Sequence, residues 1–233
     1  MTAKTVLISG SNRGIGLAFA AHYINEGWHV ISCVRNVDAA TDLKQLKPWK
    51  LLTLDTSEKD SINSLANTLE NVPIDLLINN AGILEAHDLK TTTKADLLRQ
   101  FEVNTVGPFL LTRALLPNLR LAVHQAPNKA AFVAQITSRM GCIADNTSGG
   151  YYGYRASKSA LNMITKSLAV DLKNDHIGCL LLHPGYVNTA MVGFHGTVSP
   201  QESVKGMTSI IARATLEDSA KVFHYEKGDV LPW

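Results

Sequence analysis

The sequence lacks the features that mark several large classes of protein. It has only three cysteines in 233 residues, and none of them forms a CxxC pair. An odd number of widely spaced cysteines gives no disulfide framework, so we expect reduced thiols. The eight histidines show no HExxH or similar ligand spacing. The sequence therefore predicts no metal site.

Runs of charge and long apolar runs are missing too. Twenty-two Lys and Arg against twenty Asp and Glu leave a net charge of +2, without the dense basic patch typical of nucleic-acid or membrane binding. No stretch has eighteen uninterrupted apolar residues, and the amino-terminal ten residues show no signal-peptide pattern. We expect a soluble, cytoplasmic protein with one domain over residues 1–233, binding neither nucleic acid nor membrane.

What the sequence does have is a regular alternation of short apolar runs with helical apolar spacing. The predicted strands are residues 4–9, 28–34, 51–54, 74–78, 130–137, 177–182 and 220–225. Strands that alternate with helices indicate a parallel sheet covered on both faces. The predicted fold class is α/β, a Rossmann-type doubly wound, mainly parallel sheet of seven strands.

A glycine-rich turn stands between the first predicted strand and the first predicted helix. It reads Gly10-Ser11-Asn12-Arg13-Gly14-Ile15-Gly16. Glycines let the main chain approach a ligand closely, and free N–H groups at a helix start attract phosphate. Arg35 follows the second strand, where dinucleotide folds contact the adenosine ribose. Arg35 and Arg13 favour NADP(H), whereas Asp38 keeps NAD(H) open as the alternative.

Glycines and polar residues also follow the other predicted strands, at their carboxyl ends. Ligands of open parallel sheets bind beyond that edge. Chance would scatter such positions between both ends of the strands, so their convergence predicts a ligand site. The positions are Asp55, Thr56, Asn80, Ala81, Gly82, Ser138, Pro184, Gly185, Val187 and Thr189.

Two long helical patterns carry the remaining candidates. The stretch 92–119 holds Asn104 among apolar residues, either as a hydrogen-bonded core amide or as part of a site. The helix that opens at Tyr151 carries Tyr154 and Lys158. Four residues apart, these two lie one turn from each other on the same face. A nearby ammonium favours phenolate, so the pair predicts proton transfer closer to neutral pH.

With these motifs the chain resembles the short-chain dehydrogenase/reductase family along nearly its whole length. The family's glycine motif is found at residues 9–16, its Asn-Asn-Ala-Gly motif at 79–82 and its Pro-Gly motif at 184–185, with Thr189 as the cofactor-contacting threonine. The order and spacing of these motifs together are specific to the family. Its active tetrad maps to Asn104, Ser138, Tyr154 and Lys158.

A narrower resemblance is to C-factor-like and sniffer-like carbonyl reductases. It rests on Ser138-Arg139-Met140-Gly141, on the loop at residues 145–152 and on the Gly-Asp-Val-Leu-Pro-Trp ending. The resemblance implies hydride transfer between NADP(H) and a small carbonyl or alcohol substrate. It also implies a homodimer or homotetramer, with residues of about 190–202 as the substrate loop. The alternative is a dinucleotide-binding signalling or sensor protein of C-factor type, in which turnover is secondary.

The resemblance further assigns a role to each member of the tetrad. Ser138 hydrogen-bonds the substrate oxygen, and Tyr154 supplies its proton during reduction. Lys158 lowers the pKa of Tyr154 and holds the nicotinamide ribose, so that both side chains also contact the cofactor. Asn104 positions a water that relays protons to Lys158.

Overall fold

The strands form one mostly parallel sheet. The structure is a computed structural model and describes residues 3–125 and 130–233. The strands are β1 (Thr5–Ser9), β2 (His29–Val34), β3 (Lys50–Thr53), β4 (Leu76–Asn79), β5 (Ala131–Ile136), β6 (Ile177–His183), β7 (Val222–His224) and β8 (Val230–Leu231). Their order in the sheet is β3-β2-β1-β4-β5-β6-β7-β8. The reversal of order beside β1 is the switch point at which such sheets bind ligands.

The predicted α/β class and doubly wound topology are confirmed, but the predicted number of strands is wrong. Over residues 3–125 and 130–233 the sheet has eight strands, because β8 pairs with β7 in the antiparallel direction. Gly228 makes this reversal possible, since its φ of +72° is a conformation that side chains disfavour. The amide of Gly228 donates to the carbonyl of His224 at 3.0 Å and closes the turn. A two-residue strand is too short for its apolar pattern to be recognised in the sequence.

Helices cover both faces of the sheet. They are α1 (Gly14–Asn25), α2 (Thr41–Gln45), α3 (Lys59–Thr68), α4 (Lys94–Phe101), α5 (Gly107–Ala114), α6 (Leu116–Gln125), α7 (Tyr152–Asp171) and α8 (Pro200–Arg213). Helices α1, α2 and α8 pack on one face, and α3, α5, α6 and α7 pack on the other. None of the helices within the described ranges is long and apolar enough to cross a membrane.

The alternation of side chains along β1 shows how one strand supplies both cores. Val6 and Ile8 belong to the core beneath α1 and α8, whereas Leu7 belongs to the core on the other face. All three side chains are fully buried, and burying such a side chain contributes about 1.5–3 kcal/mol. A central strand buried on both faces is nearly continuously apolar, which is the pattern that the sequence shows.

Candidate active site

The glycine turn leaves the start of α1 open to a ligand. The amides of Gly10 and Ser11 donate to the carbonyl of Cys33 at 2.9 and 3.2 Å, so the turn is held against the end of β2. A Cβ on Gly16 would collide with the carbonyl oxygen of Gly10. Among the residues that the structure describes, the side chain of Arg13 forms no capping hydrogen bond with the helix. The backbone N–H groups at the start of α1 are therefore left to a ligand, at the end of the helix where its dipole favours an anion.

Asn80 and Ser9 join this turn to the end of β4. The Asn80 side-chain amide donates to the carbonyls of Ser9 and Gly10, both at 3.0 Å. The hydroxyl of Ser9 accepts from the amides of Asn80 and Ala81 at 3.0 and 3.1 Å. The Asn80 side chain thus fixes the glycine turn from within. The sequence predicted a direct contact of Asn80 with the cofactor and missed this supporting role.

Two exposed arginines lie beside the turn. Arg13 is part of it, and Arg35 lies two residues beyond Cys33, whose carbonyl holds the turn. Within residues 3–125 and 130–233, neither guanidinium takes part in an ion pair. Asp38, the feature that kept NAD(H) open, lies 3.7 Å from the ammonium of Lys44. Both arginines are therefore available to an anion such as a ribose phosphate.

Asp55 and Thr56 follow β3 as predicted, but local structure already engages them. A carboxylate oxygen of Asp55 accepts from the amide and the hydroxyl of Ser57 at 3.0 and 2.7 Å. Thr56 is buried, and its carbonyl lies against Gly107 at the start of α5. Their contact with an adenine edge stays a prediction.

The segment after β6 reaches back to the glycine turn. A Cβ added to Gly14 would lie 3.1 Å from the Cγ2 of Thr189, so these two distant motifs are in contact. The carbonyl of Pro184 accepts from the hydroxyl of Ser203 at 2.6 Å. Gly185 has a φ of +82° and lies against the ring of Tyr225. The backbone around Val187 pairs with that of Val198 in a single bridge.

Asn104 lies in a π-helical turn, Glu102–Val106, that separates α4 from α5. Its side chain is fully buried. The amide oxygen accepts from the amide of Ile83 at 2.8 Å, and the amide nitrogen donates to the carbonyl of Ile83 at 2.9 Å and to the hydroxyl of Ser157 at 3.0 Å. Asn104 therefore ties the segment after β4 to α7. Its part in a proton relay stays a prediction.

Tyr154 and Lys158 lie in the first two turns of α7. The Lys158 ammonium is 5.8 Å from the centroid of the Tyr154 ring and donates to the carbonyl of Ile136, the last residue of β5, at 2.8 Å. Ser138 follows two residues later, and its hydroxyl accepts from the amide of Met140 at 3.1 Å. The three predicted catalytic groups from β5 and α7 thus share the carboxyl edge of the sheet with the glycine turn.

Residues 4–197, most of the chain, match the model of the short chain dehydrogenase family. The chain belongs to this family. The predicted family resemblance is therefore confirmed, and the chain is an oxidoreductase of the short-chain dehydrogenase class.

The proteins to which this chain is similar include members of the predicted subgroup. The C-signal of Myxococcus xanthus is 42% identical over 162 residues, which are 69% of this chain and 93% of that protein. An NADPH-bound carbonyl reductase from chicken fatty liver has a TM-score of 0.92 and 32% identity, and the carbonyl reductase Sniffer of D. melanogaster has a TM-score of 0.92 and 31% identity. Both structures match over 100% of each chain. The resemblance to C-factor-like and sniffer-like carbonyl reductases is confirmed.

In this short-chain dehydrogenase, burial shifts the pKa values of the two paired side chains in opposite directions. Burial raises the pKa of Tyr154 to about 12, and the Ser138 side chain, as a hydrogen-bond partner, lowers it in part. Burial lowers the pKa of Lys158 to about 8. The net pKa of Tyr154 is therefore raised in this structure, and the lowering contribution of Lys158 stays a prediction. Desolvation of the phenolate outweighs an ammonium that is 5.8 Å away and is directed at Ile136.

The lowered pKa of Lys158 means that its charge destabilises the folded protein. Between about pH 8 and the usual lysine value of 10.5, the unfolded chain binds the proton that the folded chain has released. The stability of the wild type therefore rises with pH in this window. The shift corresponds to a destabilisation of the folded protein by about 3 kcal/mol at pH 7. The hydrogen bond from Lys158 to Ile136 offsets about 1 kcal/mol of this.

We expect Lys158→Met to raise the free energy of unfolding by about 2 kcal/mol at pH 7. The difference in the free energy of unfolding between Lys158→Met and the wild type should decrease by about 2 kcal/mol between pH 7 and pH 9.5. Urea unfolding of both proteins at the two pH values measures this. Lys166→Met is the matched control, because Lys166 is exposed on the same helix. A difference that does not change with pH would contradict the burial of a charged Lys158.

Three potential metal ligands lie together outside the predicted site. Ligand atoms of Glu85, His87 and Asp96 are within 4.8 Å of one another, where the sequence predicted no metal site. Both acids have protein partners. Asp96 forms a capping box with Thr93 at the start of α4, and Glu85 lies 3.1 Å from the guanidinium of Arg99. The other carboxylate oxygen of Glu85 is buried without a hydrogen-bond partner, and the absence of a metal site stays a prediction.

Proposed function

We propose that the chain is an NADP(H)-dependent carbonyl reductase in which Tyr154 is the acid and base of a hydride-transfer reaction. The observation that carries the proposal is the meeting of Tyr154, Lys158 and Ser138 at the edge of the sheet that also bears the open glycine turn. With a pKa of about 12, Tyr154 keeps its proton at neutral pH. It therefore carries the proton that reduction of a carbonyl consumes.

The residues around the glycine turn fit the NADP form of the dinucleotide. The bare main chain at the start of α1 suits the pyrophosphate, and two arginines without ion-pair partners in the described chain suit the additional phosphate. The NADPH-bound relative from chicken fatty liver supports the same cofactor. The residues proposed to contact it are Gly10, Asn12, Arg13, Gly14, Ile15, Gly16, Arg35, Asp55, Thr56, Asn80, Ala81, Gly82, Tyr154, Lys158, Pro184, Gly185, Val187 and Thr189.

When bound, the nicotinamide supplies the hydride that reaches the carbonyl carbon. Ser138 donates a hydrogen bond to the carbonyl oxygen, and Tyr154 transfers its proton to that oxygen as the alcohol forms. The charge that develops on Tyr154 is then stabilised by the nearby Lys158 ammonium. Asn104 holds the turn behind these groups, and its proposed water returns a proton through Lys158.

The proposal is tested by a screen of NADPH oxidation with aldehydes, ketones and quinones at pH 7, run beside NADH. We expect at least one carbonyl class to be reduced with NADPH and more slowly with NADH. Tight binding of NADPH without any turnover across the panel would contradict the assignment.

A signalling or sensor protein that binds a dinucleotide is the second candidate function. The similarity to the C-signal of Myxococcus xanthus favours it. A pure binding protein has no chemical need for Ser138, Tyr154 and Lys158 together, and for this reason we place catalysis first. The same screen separates the two, because a sensor binds NADPH without consuming it.

We also propose that the loop after Thr189 forms one wall of the substrate pocket. The loop presents Met191 and Phe194 to solvent, with 45% and 67% of their surfaces exposed. It is held in place, since the amide of Phe194 donates to the carbonyl of Thr189 at 2.9 Å. Helix α8 begins at Pro200, so the last residues of the predicted loop form the first turn of this helix. An apolar wall favours a substrate with an apolar body beside its carbonyl.

A homodimer or homotetramer formed through α4 and α7 completes the proposal. Helix α4 exposes Leu98 and Phe101, and helix α7 exposes Met163 and Val170. Exposed apolar side chains on neighbouring helices are typical of protein interfaces. Light scattering should give a dimer or tetramer, and Met163→Glu should shift it towards a monomer. A wild type that is monomeric at high concentration would rule out this assembly.

A further inference from the structure

The turn that carries Ser138 is held by a side chain from the neighbouring strand. The amide of Arg139 donates to the Nδ1 of His183 at 3.2 Å. Just before it, the amide of Thr137 donates to the carbonyl of Leu182 at 2.9 Å. His183 therefore continues the pairing of β5 with β6 past the end of β5, and its ring takes the place of a backbone carbonyl.

His183 is suited to accept this hydrogen bond. It is the last residue of β6, and its ring lies 5.2 Å from that of His224 on β7. Burial, followed by the nearby His224 and Arg139, lowers the pKa of His183 to about 3, and Asp145 acts weakly in the opposite direction. The imidazole is neutral at pH 7. Because Nδ1 accepts, the ring proton is on Nε2.

The hydroxyl of Ser138 has a single proton, and it can donate one hydrogen bond. It already accepts from the amide of Met140 at 3.1 Å, so its own proton is the part that can bond an oxygen, either that of its partner Tyr154 or that of a substrate. The direction of this hydroxyl depends on the peptide that joins Ser138 to Arg139. That peptide is held at both ends: its carbonyl accepts from the amide of Gly141 at 2.8 Å, and its N–H donates to His183. His183 contacts neither Tyr154 nor Lys158 by any hydrogen bond in the described chain.

We propose that His183 is a positioning residue, whose Nδ1 fixes the peptide after Ser138 and so directs the Ser138 hydroxyl to the substrate oxygen. This rests on the proposed function. A displacement of about 1 Å at a reacting group can cost about a hundredfold in rate. A loosened Ser138 turn should therefore reduce turnover while the glycine turn and its dinucleotide contacts stay intact.

Substitution of His183 by Asn or by Gln distinguishes a positioning role from a role in packing alone. Asn places its side-chain oxygen near the position of a histidine Nδ1, whereas Gln places it near Nε2. We expect H183N to keep kcat within about threefold of the wild type, and H183Q and H183L to lose about tenfold or more. The KM for NADPH should stay unchanged in all three. H224N is the matched control on the neighbouring ring and should keep wild-type turnover, because Asn can still accept the amide of Glu226.

A double-mutant cycle with S138A completes the test. If His183 acts through Ser138, H183L should cause no further loss of kcat in S138A. Thermal melting of every variant checks that each is folded, and H183Q replaces H183L in the cycle if the latter is not.

Each other outcome has a defined meaning. An equal loss from H183L with and without Ser138, or a loss in H183N as large as in H183L, would overturn the positioning role alone. A wild type without turnover would overturn the proposed function and, with it, the reason to position Ser138.

Discussion

Tyr154→Phe is expected to reduce NADPH-dependent carbonyl reduction by about 10²- to 10⁴-fold, the usual contribution of a positioned general acid. The substitution removes the phenol and leaves the ring. Tyr154 is 8% exposed, so its ring packing is retained and the fold should not change. The loss should fall on kcat, while NADPH binding stays near the wild-type value.

Steady-state rates and fluorescence titration of NADPH measure the two quantities separately. Tyr152→Phe is the matched control, because Tyr152 is 40% exposed one half-turn earlier on the same helix. We expect wild-type turnover from it. A Tyr154→Phe enzyme that reduces its substrate at the wild-type rate with NADPH bound would remove Tyr154 from the mechanism.

Removal of both Arg13 and Arg35 is expected to raise the KM for NADPH by about a hundredfold or more. A hydrogen bond to a charged group contributes about 1.5–3 kcal/mol, so each arginine is worth about tenfold or more. The KM for NADH should change little, because NADH lacks the ribose phosphate. The variant should therefore lose its preference for NADPH without losing the glycine turn.

The experiment compares both dinucleotides with the wild type, each single variant and the Arg13→Ala/Arg35→Ala double variant. Arg120→Ala is the charge-matched control, because Arg120 pairs with Asp175 just before β6 begins, at the opposite edge of the sheet. An equal loss for NADPH and NADH would mean that the arginines support the turn itself. No loss for either would exclude them from the phosphate site.

Sequence patterns predicted the parts of the site that follow from strand order. Once the strands are parallel, their carboxyl ends share an edge, so Gly10, Arg35 and Ser138 had to lie along the same edge of the sheet. Helical spacing alone put Tyr154 and Lys158 on the same face. These are consequences of periodicity, which a single sequence contains.

The sequence could not predict features that depend on which tertiary partner a side chain meets. Asn80 supports the glycine turn because β4 ends beside it. The pKa of Tyr154 is raised because burial outweighs a lysine at the correct spacing. No sequence pattern singled out His183, because its contact with Arg139 depends on the register between β5 and β6. Such partners are up to tens of residues away in sequence.

The π-helical turn at Glu102–Val106 rotates α5 relative to α4, so the two helices do not share one continuous face. A wider turn has more residues per revolution than an α-helix, so side chains on either side of it no longer share one stripe. On α4 this leaves Leu98 57% exposed, while on α5 Leu111 is fully buried. Substitutions on the exposed face of α4 should therefore leave the contacts of Asn104 with Ile83 and Ser157 in place. The outer surface of α4 and the turn that holds Asn104 are thus independent of each other, although they belong to one continuous stretch of chain.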